Sequence, residues 1–185
     1  MDAATWLKQV NDQSGQADRR ARLSELVANI AAVSSLDSLL FEATEQVSAF
    51  FDAVSTSVFM SDAQGQLRAV AWIKDGVREL RLPRDPSNVI GFAYTAKAPV
   101  SFQNLGDAAE LARLHPRLKP DDRLDRWLGM NIRGAIVVPL PVRDLPFGVM
   151  LVANRKDESG LFVPRDLVYA GDFAGEYCVF DFDDR

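Results

Sequence analysis

The chain has 185 residues, of which 48% are apolar, and this size and composition favour one domain with a substantial core rather than two. Its formal net charge is −5, and nucleic-acid binding normally needs a basic surface, so nucleic acid is excluded as an expected partner. No apolar run approaches the ~18 residues of a membrane span and the N-terminus lacks the pattern of a signal peptide, so we expect no membrane insertion.

The N-terminal part of the sequence predicts a polar arm followed by two amphipathic helices. Residues 1–21 are mostly polar, so we assign them to an arm or linker and residues 22–185 to the folded domain. Apolar residues then recur at helical spacing in two segments that Ser34 and Ser35 separate. The apolar positions are Leu23, Leu26, Val27, Ile30 and Val33 in the first segment, and Leu36, Leu39, Leu40, Ala43, Val47, Phe50 and Phe51 in the second.

The period of the pattern then changes to two, which predicts a three-stranded meander. The first strand covers residues 54–61 and the second 66–74, with turn residues between them at 62–65. Asp75-Gly76 is a second tight-turn signal, and residues 77–82 form the third strand.

The rest of the chain alternates short helical and extended segments. In order, we predict a short helix at 88–97, a strand at 100–104, a charged helix and loop at 107–126, strands at 132–142 and 147–154, and a closing helix from Pro164 to about residue 180. This order predicts an α+β fold, with one antiparallel sheet of about six strands and helices on its faces.

The most informative segment runs from Arg123 to Val138. It follows the frame Asp-x-x-Thr-Gly-Phe-x-Thr-Arg, then an apolar strand and Pro-Leu, and keeps Asp125, Gly129, Arg133, Pro139 and Leu140. The frame resembles that of GAF domains, in the branch of cyclic-nucleotide phosphodiesterases and cyclases and of type II and type IV secretion ATPases. Further blocks extend the resemblance from about Arg22 to Phe180: Ser57-Val-Phe-Met, Glu79-Leu-Arg-Leu-Pro, Val89-Ile-Gly-Phe-Ala, Pro99-Val and Pro146-Phe-Gly-Val.

The resemblance implies a ligand pocket in which several polar contacts have become aliphatic. The candidate pocket residues are Ser57, Phe59, Trp72, Ile90, Asp125, Leu128, Ile132 and Leu151. Ser57 and Asp125 keep the polar residues of cyclic-nucleotide relatives, and Trp72 stands for a phenylalanine that stacks on the base. Ile90, Leu128, Ile132 and Leu151 replace a small residue, two threonines and a glutamate.

These replacements decide what the pocket can hold. An unpaired buried polar group costs ~1–3 kcal/mol, so the phosphate and base edges of a cyclic nucleotide would lose much of their binding energy. The aliphatic side chains that replace the polar contacts stabilise the fold when they pack together, by about 25 cal/mol per Å² of apolar surface that they bury. We therefore expect a small, mostly apolar or collapsed pocket.

A second motif resembles the Asn-Lys-Phe-Asp-Glu signature of the family. Asn154-Arg155, Phe162 and Asp166 match it, with arginine in place of lysine and Leu167 in place of the glutamate. The resemblance implies an internal ion pair, and arginine can replace lysine in such a pair. We interpret Arg155 and Asp166 as a structural clamp rather than as ligand contacts.

No residue pattern indicates catalysis, a metal site or a cofactor. His115 is the single histidine and has no cysteine nearby to share a metal or haem with it. Cys178 is the single cysteine, which excludes an internal disulfide and favours a reducing compartment, the cytoplasm. Asp121-Asp122 and the terminal aspartates 181, 183 and 184 are typical of solvated charge. An enzyme that uses these carboxylates is the weakest alternative.

The closing helix has two apolar stripes, which favours a protein–protein interface. One stripe contains Leu167, Ala170, Ala174 and Cys178, and the other contains Tyr169, Phe173, Tyr177 and Phe180. Plain burial of both stripes is an alternative. We expect a homodimer through the first and last helices, in a larger signalling or secretion-associated protein. The predicted function is a non-catalytic sensory or regulatory domain that acts through dimerisation or partner docking; the alternative, favoured by Ser57, Trp72 and Asp125, is a nucleotide-type small-molecule sensor.

Overall fold

The structure, a computed structural model, describes residues 15–26, 28, 36–72, 79–142 and 145–177. The helices are α1 (residues 15–26), α2 (Leu36–Phe51), α3 (Val89–Ala96), α4 (Ala108–Leu114), α5 (Arg123–Leu128) and α6 (Pro164–Tyr177). The strands are β1 (Ala53–Ser61), β2 (Gln66–Trp72), β3 (Arg81–Pro83), β4 (Val100–Phe102), β5 (Ala135–Val142) and β6 (Leu145–Arg155). The prediction of an α+β fold with one antiparallel sheet is confirmed, and the sheet has six strands in the order β3-β2-β1-β6-β5-β4.

Strands β1 and β6 form the centre of the sheet. Their antiparallel pairing places Ser57 opposite Leu151 and Phe59 opposite Val149. Because neighbouring residues of a strand point to opposite faces, a central strand that is covered on both sides has apolar residues throughout. Val149, Met150, Leu151, Val152 and Ala153 are all at most 1% exposed, which explains the unbroken apolar pattern of β6.

Two apolar cores lie on the two faces of this sheet. The long helices α1, α2 and α6 cover the long-helix face, which bears Val58, Ile136 and Val152. The short helices α3, α4 and α5 cover the short-helix face, which bears Phe59, Val137 and Leu151. Within the described ranges, none of the helices combines the length and apolarity needed to cross a bilayer.

Local hydrogen bonds set the ends of several elements. Helix α3 begins after Asn88, whose side chain accepts a hydrogen bond from the Gly91 N–H, and ends at Lys97, whose φ of 53° is left-handed. Strand β5 begins at Ala135, later than the predicted start at 132. The reason is that the N–H groups of Ile132 and Arg133 donate to the side chains of Asp125 and Asn154 instead of to a neighbouring strand.

Part of the predicted arm or linker is helical, while the domain boundary at residue 22 stays a prediction. Residues 15–21, assigned from sequence to an arm, are helical, and Arg19 on this helix contacts the buried Asp166. The sequence pattern missed the helix because its first turns are polar and are held by an ion pair rather than by an apolar stripe. Residues 77–78 of the third predicted strand lie outside the described residues, and that strand is seen as β3.

Helix α6 corrects the interpretation of the two apolar stripes. Tyr169 and Phe173, from the stripe reserved for a partner, are 5% and 1% exposed and lie in the same core as Ala170 and Ala174. Both stripes therefore contribute to intramolecular packing, and so do Leu23 and Leu26 of α1. The other stripe members, Val27, Ile30, Val33, Cys178, Phe180 and the side chain of Tyr177, lie outside the described residues.

Candidate functional site

The candidate pocket residues meet on the short-helix face. Ser57 and Phe59 come from β1, Leu151 from β6, Ile90 from α3 and Leu128 from α5. Ile132 follows α5 in the chain and lies in one apolar cluster with Phe59, Ile90, Leu128 and Leu151. Trp72 pairs with Ser57 across β1 and β2, but its side chain is outside the described part of the structure.

The apolar side chains of this part of the face are buried. Phe59, Ile90 and Leu151 are 0% exposed, and Leu128 and Ile132 are 2% exposed. The ring of Trp127 packs over Phe59, with 5.7 Å between ring centroids. Apolar residues thus occupy the positions at which the sequence predicted an apolar or collapsed pocket.

Two hydroxyl groups interrupt this apolar face. Ser55 and Ser57 are two positions apart on β1, so their side chains lie on the same face of the sheet as Phe59. The Oγ atoms of both serines are buried and have no hydrogen-bond partner in the structure. An unsatisfied buried hydroxyl costs about 1–3 kcal/mol, so the pair could bind a small polar group. Ser55 was missed by the sequence analysis, although the alternation Ser55-x-Ser57-x-Phe59 is a signal that could have identified it.

Asp125 lies at the rim of the face and closes a loop. Its Oδ1 accepts a hydrogen bond of 3.1 Å from the Ile132 N–H, and its backbone carbonyl accepts one of 3.1 Å from Met130. Gly129, with a left-handed φ of 63°, ends α5 and allows this turn. Burial raises the pKa of the Asp125 carboxyl, the Ile132 N–H lowers it, and the charges of Asp122 and Asp121 raise it further, with a net rise.

Asn154 is a structural residue to which the sequence analysis assigned no role. Its φ of 52° is left-handed, and it directly follows Ala153, the last residue of β6 that pairs with β5 at this end. Its Nδ2 donates to the Asn131 carbonyl at 2.8 Å, and its Oδ1 accepts from the Arg133 N–H at 2.7 Å. The side chain therefore joins the end of β6 to the loop that carries Ile132.

Arg155, the residue after Asn154, forms an ion pair with Asp166. Arg155 NH1 is 3.2 Å from Asp166 Oδ2, and Arg155 Nε is 3.1 Å from Asp157. Asp166 is 0% exposed and has two further donors, Arg19 NH2 at 2.8 Å and the Val163 N–H at 3.0 Å. Its carboxylate is thus the centre of a polar cluster and does not face the candidate pocket residues.

The remaining chemistry-bearing residues are distributed over the surface. Asp121 pairs with Arg123; burial raises the pKa of Asp121, but the hydrogen bonds from Arg123 outweigh it and the net shift is downward. Asp122 pairs with Arg126 at 2.8 Å, and His115 Nδ1 accepts from the Arg117 N–H. In the described residues, no three His, Cys, Asp or Glu side chains are grouped so that they could share a metal ion. Cys178 and the terminal aspartates lie outside the described residues.

A cavity of about 310 Å³ opens on the long-helix face, away from the candidate pocket. It lies between α1 and α2. Its lining residues are Arg19, Arg22, Glu25, Leu26, Gln46, Ala49 and Phe50.

Comparison with known proteins identifies the class of the fold. The family model of the GAF domain matches residues 35–176. Because this match covers most of the chain, the chain belongs to the GAF domain family. A search of the curated proteins found no match.

Solved structures agree with this assignment at the level of the fold. The GAF domain of an Acinetobacter phosphoenolpyruvate-protein phosphotransferase is 17% identical, with a TM-score of 0.64 over 85% of this chain and 89% of that one. The Neisseria meningitidis free methionine-R-sulfoxide reductase, in complex with its substrate, is 18% identical, with a TM-score of 0.64 over 86% of each chain. The A. aeolicus nlh2 GAF domain in an inactive state is 10% identical, with a TM-score of 0.61 over 89% and 91%. The GAF fold therefore occurs both in GAF domains of larger proteins and in an enzyme.

Proposed function

We propose that this chain is a non-catalytic, cytoplasmic regulatory GAF domain that works through dimerisation or partner docking, with its ligand-binding region closed. The observation that carries the proposal is the burial of Ile90, Leu128, Ile132 and Leu151, none more than 2% exposed. A bound nucleotide would have to displace these side chains and would leave its own polar groups unpaired.

The arrangement of the long helices supports an interface on the long-helix face. Arg19 joins α1 to α6, so the two helices lie together, and Val168 on α6 is 59% exposed. Phe41 on α2 is 51% exposed as well. Large apolar side chains that remain exposed on neighbouring helices are candidates for a surface that a partner covers. A stable dimer buries roughly 1,200–2,000 Å² in total, which two helices per subunit can supply.

Light scattering on the purified protein and two matched variants tests the dimer. Val168→Glu places a charge on the exposed face of α6, and Leu114→Glu places one on α4, where Leu114 is 42% exposed on the opposite side of the sheet. We expect a dimer for the unmodified protein and for Leu114→Glu, and a folded monomer for Val168→Glu. A monomer in every case at high micromolar concentration would remove dimerisation and leave docking to a different protein.

Small-molecule sensing is the second candidate, because of the two buried hydroxyls of Ser55 and Ser57. These groups, with Asp125 at the rim, could hydrogen-bond a small polar ligand. Calorimetry with cyclic AMP and cyclic GMP separates the two proposals. We expect no binding tighter than about 1 mM, whereas a dissociation constant near 1 µM, which is ~8 kcal/mol of binding free energy, would favour the sensor.

A further inference from the structure

The side chain of Arg19 on α1 contacts both other long helices. Its guanidinium is 2.8 Å from Asp166 at the start of α6. The same group lies over the rings of Phe50 on α2 and Tyr169 on α6, at 5.4 and 5.0 Å from the two centroids. A cation between two aromatic rings gains from both, and more strongly where water is partly excluded.

The carboxylate of Asp166 divides its contacts between its two oxygens. Oδ1 accepts from Arg19, while Oδ2 accepts from Arg155 and from the Val163 N–H. A buried carboxylate without a cation is strongly unfavourable. If Arg19 moves away, however, Arg155 still neutralises Asp166, so the contact of α1 can open without leaving a bare charge in the core.

The two halves of α1 are held in different ways. Leu23 and Leu26, four and seven residues after Arg19, are 2% and 5% exposed and anchor the second half in the apolar core. The first half is fixed by the Arg19 side chain, which is 28% exposed. The cavity of about 310 Å³ beside Arg19 and Arg22 gives this half room to move against α2.

The Arg155 end of the cluster is connected to the candidate pocket. Arg155 directly follows Asn154, whose side chain bonds the Asn131 carbonyl and the Arg133 N–H. Between these two groups lies Ile132, one of the residues that close the short-helix face. Asn154 therefore holds the 131–133 loop on one face of the sheet, and the adjacent Arg155 contacts Asp166 of α6 on the other face.

We propose that the Arg19–Asp166 pair is a releasable latch on the first half of α1, coupled through Arg155 and Asn154 to the 131–133 loop. A shift of the loop moves the end of β6 and allows Arg155 to move closer to Asp166, so that Arg155 takes over the neutralisation of this carboxylate and Arg19 is released. The first turns of α1 then detach, while Leu23 and Leu26 stay buried. This latch does not depend on the oligomeric state. Hydrogen exchange can therefore refute the latch without refuting the dimer, and light scattering can refute the dimer without refuting the latch.

Hydrogen exchange read by mass spectrometry on the full chain tests the latch. Arg19→Gln removes the charge, and Arg22→Gln, three residues later on the same helix, is the matched control. We expect Arg19→Gln to speed exchange in residues 15–22 by about fivefold or more, with the amides of β1 and β6 unchanged. Equal exchange in the two variants, or an equal increase across the sheet, would overturn the latch.

A second pair of variants tests the coupling. Asn154→Asp keeps the acceptor for the Arg133 N–H and tolerates a left-handed φ, but it loses the donor to the Asn131 carbonyl. We expect faster exchange both in residues 129–134 and in residues 15–22. Asn154→Gly, which keeps the backbone conformation and removes both bonds, should give the larger effect. Faster exchange in the loop with no change in α1 would refute the coupling.

Discussion

Replacing Asp166 with alanine should destabilise the domain more than any other single loss of charge described above. The carboxylate is fully buried and accepts hydrogen bonds from Arg19, Arg155 and the Val163 N–H. Alanine leaves all three donors without this acceptor. Asp166 also reaches back to the N–H of the residue just before α6, so the start of that helix loses a capping contact.

The magnitude follows from the exposure of the partners. Breaking a buried ion pair by removing one partner costs about 3–5 kcal/mol. The side chains of Arg19 and Arg155 keep 28% and 24% of their surface in water, so solvent can take over part of the lost interaction. We therefore expect a loss of about 2–3 kcal/mol, which lowers the melting temperature of a domain of this size by about 5–10 °C.

Thermal unfolding followed by circular dichroism measures this change, with Asp166→Asn as the comparison. Asparagine keeps an acceptor for the Val163 N–H but carries no charge, so we expect it to lose roughly half as much stability. If Asp166→Ala melts within about 1 °C of the unmodified protein, the cluster contributes nothing and the reasoning is wrong.

Three further changes test other parts of the structure. Gly91→Ala should cost about 1–3 kcal/mol, because its Cβ would lie 2.2 Å from the Asp85 carbonyl, whereas Gly175→Ala, with nothing within 4 Å, should be neutral or slightly stabilising in the same melting assay. Leu151→Ala should cost about 2–5 kcal/mol in urea unfolding if the face is filled, and a loss under about 1 kcal/mol would indicate an open pocket. Asp125→Asn should match or exceed the unmodified protein in stability at neutral pH, because the folded state raises the pKa of this carboxyl and so disfavours its charged form. That advantage should shrink as the pH falls through the raised pKa, since the protonated carboxyl no longer carries this penalty; a clear destabilisation at neutral pH would contradict the assignment.

The sequence predicted the order and type of most elements because their patterns are local, but the segment predicted as one helix and loop at 107–126 contains two helices, α4 and the start of α5. The continuous apolar run of β6 follows from a strand that is covered on both faces of the sheet. Strand β1 is also buried on both faces, and its alternating pattern comes from serine and threonine side chains that are buried among apolar ones. The predicted ends of elements were less accurate where a side chain from a distant part of the sequence determines where the element ends. Ile132 and Arg133 look like strand residues, but Asp125 and Asn154 take their N–H groups, and no local pattern shows this.

The sequence names candidate site residues, and their role stays a prediction; not all of their contacts could be predicted. The family frame identified the aliphatic positions, and packing on the short-helix face needs only that such side chains be large and adjacent. The contact of Arg19 with Asp166 spans 147 positions of sequence, so no spacing argument reaches it. The second stripe of α6 was misjudged for a related reason. A helix wedged between a sheet and a second helix buries two stripes, whereas a pattern analysis assumes one.

The closed face is assembled from several independent parts of the chain. Ile90, Leu128 and Leu151 belong to a helix, a second helix and a strand, and Ile132 to a loop. No single hinge can open such a face, since four segments would have to separate together. Under the proposed function, a domain built in this way does not respond to metabolite levels and responds instead to the partner that binds its long helices. Under the proposed function, its output is set by the concentrations of the chain and of its partners, as in an assembly scaffold.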